Sequence, residues 1–194
     1  MVFLIYLLRF TTEQKFKIMN TIKISLYVGT YHKYNSGSIA GKWVDLTDFT
    51  DLTEFYEYCA ELHSDEDDPE YMFQDFEAPS LFDNMGLISE GYLSDDIFEA
   101  IDLLETADYD VEVYEAFANH FGGSNYDMQE LLQNANENYT GVYSSDEYLA
   151  MEIYSDHADQ MDSFFSNYID WEKLARDLMI SDYVEENGHY FRQF

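Results

Sequence analysis

Residues 89–121 read SEGYLSDDIFEAIDLLETADYDVEVYEAFANHF and carry ten carboxylates with no lysine or arginine among them. Clustered carboxylates can do three kinds of chemistry. They can pair as acid and nucleophile in glycoside hydrolysis, ligate a hard cation, or present bare negative charge to a basic partner. The first requires two carboxyl groups held in different environments, and a chain with 40 acids offers so many pairs that spacing nominates none. For the second, the run DEDDPE (65–70) has the acidity of a calcium loop but neither the glycine nor the twelve-residue spacing of an EF-hand. His32, His63, His120, His157 and His189 are scattered, with no H-E-x-x-H pair. Cys59 is the single cysteine, which excludes an internal disulfide and a Cys-cluster zinc site. Within the helical pattern DLTEFYEYCAEL it reads as a small buried hydrophobe. Gly122-Gly123 reads as a helix end, and there is no Gly-rich phosphate loop. The expectation is a protein that is not an enzyme and uses no metal or cofactor. The third chemistry remains, and the side chains nominated for it are Asp65, Glu66, Asp67, Asp68, Glu70, Asp95, Asp96, Glu99, Asp102, Glu105, Asp108, Asp110, Glu112, Glu115 and Asp127.

The charge layout supports that choice. Forty acids face nine bases across 194 residues, a formal net charge of −31. The bases are Arg9, Lys15, Lys17, Lys23, Lys33, Lys42, Lys173, Arg176 and Arg192, so 130 consecutive residues (43–172) hold 35 acids and no cation. Such a field repels itself and draws in basic partners from a distance. Direct binding of nucleic acid is excluded, because phosphates demand the opposite sign. Acidity evolved for solubility or high salt predicts acids spread evenly along the chain; here they are segregated. The chain is also 46% hydrophobic and 18% aromatic, unlike a disordered acidic tail, so it can bury a core.

These acids must sit on stiff elements. TIKISLYVGTY (21–31) alternates Ile22, Ile24, Leu26 and Val28 against polar neighbours and reads as a strand. A turn at 34–41, an extended KWVDL (42–46), a helix over 51–62, an acidic loop at 63–70 and a strand over 70–79 complete an N-terminal α+β part. The middle reads as helices. One over DDIFEAIDLLE is capped by Ser94, with Ile97, Ile101 and Leu104 inward. A second spans 110–121 and stops at the glycine pair. A third spans 125–139. Asp95, Asp96, Asp110 and Asp127 fall in first turns, where the helix dipole favours a carboxylate. Beyond Gly141 come an amphipathic helix over 144–161 with a capping arrangement at Ser144–Glu147, a helical region over 163–181, and a hairpin about Asn187-Gly188.

The first residues differ in character. VFLIYLL is too short to span a bilayer, and Arg9, Lys15 and Lys17 follow it rather than precede it, against the order of a secretory signal. The expectation is an upstream extension over 1–18 with Met19 as the natural start, in a cytoplasmic protein. The resulting fold class is α+β in three parts, 19–80, 81–124 and 125–194.

Spacing gives the acids a purpose. Duplex DNA carries one charge per ~1.7 Å of axis, so the 35 acids would match ~60 Å of duplex. Carboxylates at i, i+3/i+4 and i+7 of a helix lie about 5–6 Å apart, close to neighbouring phosphates on a strand. A rigid, cation-free helical surface can therefore imitate a phosphate rail.

LYVGTYHKYNSGSIAGKWVDL (26–46), QDFEAP (74–79), YTGVYSSDEYLAMEI (139–153) and YIDWEKLARDLMISDY with its NGHYF ending (168–191) resemble the ArdA-type antirestriction family. The most specific pieces are Tyr34-Asn35-x-Gly37 with Gly41-x-Trp43, Asp75-Phe76-Glu77, and Tyr168-Ile169-Asp170 with Ala175-Arg176-Asp177-Leu178. The resemblance implies an elongated, three-part protein that forms a homodimer and mimics bent B-form DNA. It implies occupation of the DNA-binding groove of Type I restriction–modification enzymes, protecting mobile DNA. It also maps an antirestriction segment, associated with the dimer contact, near 130–148, with Glu130, Tyr139, Gly141 and Asp146 as its carried-over residues. The alternative reading is a generic acidic chaperone for basic proteins.

Overall fold

A computed structural model describes residues 21–194; the expected extension and the Met19 start lie outside these residues. The fold is α+β, helices with small antiparallel sheets. Strand β1 (Ser25–Thr30) is the centre of the first sheet, flanked by β2 (Lys42–Asp45) and β3 (Tyr71–Glu77), both antiparallel to it. Leu26 faces Val44 on one side and Phe76 on the other. The alternation expected of 21–28 holds in part: Ile22, Ile24, Leu26 and Val28 are buried and Lys23 is exposed, but Ser25 is buried too and Tyr27 half-buried, because β1 is the central strand of its sheet. The strand proper begins only at Ser25. A one-turn helix, α1 (Tyr31–Asn35), follows it, capped by the Thr30 side chain.

Helix α2 (Leu52–Leu62) is capped by Asp51, whose carboxylate accepts the Glu54 N–H at 2.9 Å. It buries Phe55 and Cys59, and the Phe55 ring meets Phe73 of β3. After β3 come α3 (Ser80–Asn84) and a two-residue-per-strand hairpin, β4 (Ile88–Ser89) with β5 (Tyr92–Leu93).

Three helices then carry the middle of the chain: α4 (Ile97–Glu105), α5 (Val111–Phe121) and α6 (Met128–Asn138). Ile97, Ala100, Ile101 and Leu104 are the inner face of α4, as the periodicity predicts. Its start differs from expectation. The Ser94 hydroxyl accepts the Asp96 N–H at 3.3 Å, but the helix begins three residues after Ser94 and has no side-chain cap. Ser94 makes a local turn there, a serine habit that competes with capping. Helix α5 ends where Gly122 takes φ +85°, a conformation that costs glycine little. Helix α6 opens with a reciprocal cap between Asp127 and Glu130.

The last sheet is ordered β6 (Tyr139–Val142), β8 (His189–Arg192), β7 (Tyr183–Glu186). The β7–β8 turn places Asn187 at φ 52° and Gly188 at φ 85°, the positive pair that a two-residue type I′ hairpin demands. Between β6 and β7 run α7 (Asp146–Gln160), a one-turn α8 (Ser163–Ser166) and α9 (Trp171–Ser181). Ser145, not Ser144, caps α7. The expected helical region 163–181 is broken, since Asp170 starts a fresh helix by accepting the Lys173 N–H. Helix α7 is less amphipathic than expected, burying Leu149 and Ala150 while Tyr148 and Met151 stay exposed.

One buried cluster runs from Ile22 to Ala135 and takes in Phe191, whose ring meets Phe117 of α5 edge-on. It draws on all three sequence-assigned parts. Ala150, Ala175 and Leu178 form a smaller cluster between α7 and α9.

Candidate partner-binding surface

Burying one face of each helix sends its acids to the other. Of the 35 acids in 43–172, thirty are exposed and none is buried. On α4, Glu99 and Asp102 are exposed and Glu105 is half-buried, each one turn from the next, with exposed Asp95 and Asp96 just before the helix. Asp108, Asp110 and Glu112 continue the exposed series into α5, and Asp127 stands exposed at the start of α6.

Not every nominated carboxylate is simply presented to solvent. The Glu115 carboxylate is half-buried and accepts both the N–H and the hydroxyl of Ser80, at 2.6 and 2.9 Å, which caps the short α3. Asp127 and Glu130 cap α6 for each other. Asp108 accepts from the Asn136 amide at 3.4 Å.

The acidic loop 63–70 is organised by a cation. Lys33 Nζ lies 2.9 Å from His63 Nδ1, 2.8 Å from Asp65 and 3.5 Å from Glu66, and Thr30 donates to Glu66 at 2.7 Å. His63 is buried, and its Nε2 faces the Val28 carbonyl at 3.3 Å. Lys33 donates to Nδ1, so Nε2 carries the hydrogen and donates to Val28. The hydrogen bond from Lys33 holds the Asp65 carboxyl below its ordinary range, and Asp65 raises the Lys33 ammonium in return. His63, Asp65 and Glu66 bring three ligand atoms within 4.8 Å of one another, and the ammonium occupies the position a metal ion would take. Glu66 is drawn inward by these contacts, while Asp65, though bound to Lys33, stays exposed with Asp67, Asp68 and Glu70.

Sequence reasoning passed over further acids of the same kind. Glu54, Glu57 and Glu61 are exposed along α2, as are Glu152, Asp156 and Asp159 along α7. The i, i+3/i+4, i+7 rule picks out both sets; neither lies in the stretch where acids are densest.

The segment 130–148 runs from α6 through edge strand β6 into α7. Tyr139 packs edge-on against Tyr109 at 4.8 Å, and its hydroxyl pairs with His189 Nδ1 at 3.0 Å. Gly141 takes φ +133° where β6 shifts register against β8, a backbone that an L side chain strains to adopt. Asp146 accepts from the Tyr190 hydroxyl at 2.8 Å, tying α7 to β8. Burial, and then this bond to a carboxylate, push the Tyr190 phenol well above its ordinary range.

The family model for antirestriction protein (ArdA) matches residues 26–192. The chain belongs to the ArdA antirestriction family. No curated protein matches it. ArdA is a family of inhibitors, not of enzymes, and membership assigns this chain an antirestriction function directed at restriction–modification enzymes. The matched span contains both the acidic surface and the segment 130–148. Among the described residues, no helix is long and apolar enough to cross a membrane.

Proposed function

We propose that this ArdA-family protein acts as a DNA mimic in the cytoplasm, a homodimer whose exposed carboxylates stand in for phosphates inside the DNA-binding groove of a Type I restriction–modification enzyme. The observation that carries this reading is the 130-residue span without a cation, in which thirty of 35 acids reach solvent from elements packed on two buried clusters. A groove built to neutralise phosphates with lysine and arginine meets the same charge density on this surface. Preorganisation helps: the acids ride on helices packed against a buried core, so little ordering remains to be done on binding. Dimerisation would double the run of charge from ~60 to ~120 Å of duplex equivalent. The segment holding Glu130, Tyr139, Gly141 and Asp146 serves as the dimer contact in this reading.

Competition tests the proposal. A short duplex carrying the enzyme's site and the inhibitor should exclude one another on a Type I enzyme, with the apparent inhibitor Kd rising in proportion to duplex concentration. An acidic chaperone that binds basic surfaces without regard to DNA geometry would instead form a ternary complex or ignore the duplex, and that result would remove the mimic reading.

A further inference from the structure

A cleft of 420 Å³ opens between the connection from α3 to β4 (85–87), α4 and the start of α6. This is near the small end of ligand-binding clefts, about 300–1,000 Å³. Its floor includes Met85, Leu103 and Met128, and its rim carries Asp96, Glu99 and Asp127. Met128 is buried, Met85 and Leu103 are half-buried, and the three acids are exposed. Asp96 stands at the N-cap position of α4 without spending its carboxylate on a cap. A phosphate rail is a polar ridge, and mimicry of one gives no reason for a mixed hollow in which methionine and leucine lie beside carboxylates.

The combination fits one side-chain chemistry. Arginine and lysine carry an apolar stem that prefers apolar surface and a cationic head that prefers carboxylates. The planar guanidinium offers five donors in a fixed fork, suited to bridging carboxylates on separate elements, and is less tightly hydrated than an ammonium. An anionic occupant is repelled by the rim, and a purely apolar one leaves three carboxylates stripped of water. We propose that this cleft receives an arginine side chain projecting from the partner enzyme's basic groove, stem on the methionine floor and guanidinium at the Asp96–Glu99–Asp127 rim. The inference rests on the DNA-mimic reading and deepens it: charge brings the partners together, and an inserted side chain fixes their register.

Two measurements test it. Gln129 is exposed and lines the cleft, as does half-buried Leu103, so Gln129→Trp and Leu103→Phe fill the hollow without altering net charge. Each should weaken inhibition of a Type I enzyme about tenfold, in the range of losing one anchoring contact, while leaving the salt dependence of inhibition unchanged. Undiminished inhibition with the same salt dependence overturns the cleft and spares the mimic; an inhibitor whose binding ignores salt overturns the mimic itself. Independently, Nα-acetyl-arginine amide titrated into the intact protein should shift the Met85 and Met128 methyl resonances, and the citrulline analogue, which keeps the stem and loses the charge, should not. Equal shifts from both probes, or none from either, contradict the assignment.

Discussion

Lys33 shows how a chain with a net charge of −31 still uses a cation. Its ammonium gathers His63, Asp65 and Glu66 at the root of an acidic loop, acting as an internal counterion. Because Asp65 is held low, its contribution to stability is present above the unfolded carboxylate value of about 3.9 and is lost as pH falls through the still lower folded value. Because Lys33 is held high, its contribution is present below about 10.4 and is lost as pH rises through the folded value. Lys33→Met should return the Asp65 titration, followed by NMR, to the unperturbed range and speed amide exchange across residues 63–68; an unmoved titration would show that the contact is not made in solution. Cys59 behaves as its sequence context suggests. Burial pushes its thiol up to about 12, so it should resist thiol reagents until the protein unfolds, and Cys59→Ser, which buries an unpaired hydroxyl, should cost ~1–3 kcal/mol in denaturant melts. The Lys33 clamp was not legible in the sequence, because 30 or more residues separate its members and only β1–β3 pairing brings them together.

Whole elements were more readable than their ends. The cores of β1, α2, β3, α4, α5 and α6 follow directly from period and turn residues, as does the Asn187-Gly188 hairpin. Two of the misses share a cause: serines offer several local hydrogen bonds at similar energy, so Ser94 and Ser145 took roles that tertiary packing decided. Helices of four or five residues, α1, α3 and α8, are too short to leave a period. The acidic face of α4 was legible, the cleft beside it was not, since its floor comes from three separated segments. Helix α4 also supplies a prediction at this scale. Asp95, Asp96, Glu99, Asp102 and Glu105 changed together to their amides should weaken inhibition by at least tenfold while raising stability, because like charges one turn apart repel. Asp95, Asp102 or Glu105, which lie outside the cleft, changed alone should each matter less than threefold, as binding through many weak charges requires. Inhibition that survives the five-fold change would show that this helix does not face the partner.

At the scale of the whole molecule, two facts belong together. A single large apolar cluster joins the first sheet, the central helices and strand β8, and the 130 residues 43–172, most of which pack on it, carry 35 acids, thirty of them exposed, and no base. The aromatic and aliphatic core is what lets mutually repelling helices stay packed, since burial at ~25 cal/mol per Å² offsets a repulsion that solvent screens. Ion pairs between described residues are Lys33 with Asp65 and Glu66 and Arg176 with Glu172, and with 40 acids to nine bases most neutralisation falls to counterions or to a basic partner. The direct measurement is the slope of log Kd for a Type I enzyme against log salt, taken side by side for this protein and for duplex DNA. If carboxylates replace phosphates, both lines rise steeply, with ~10³-fold or greater weakening between about 50 and 200 mM salt, as for six or more phosphate contacts. A flat line for the protein beside a steep one for DNA would contradict charge mimicry as the basis of its antirestriction function.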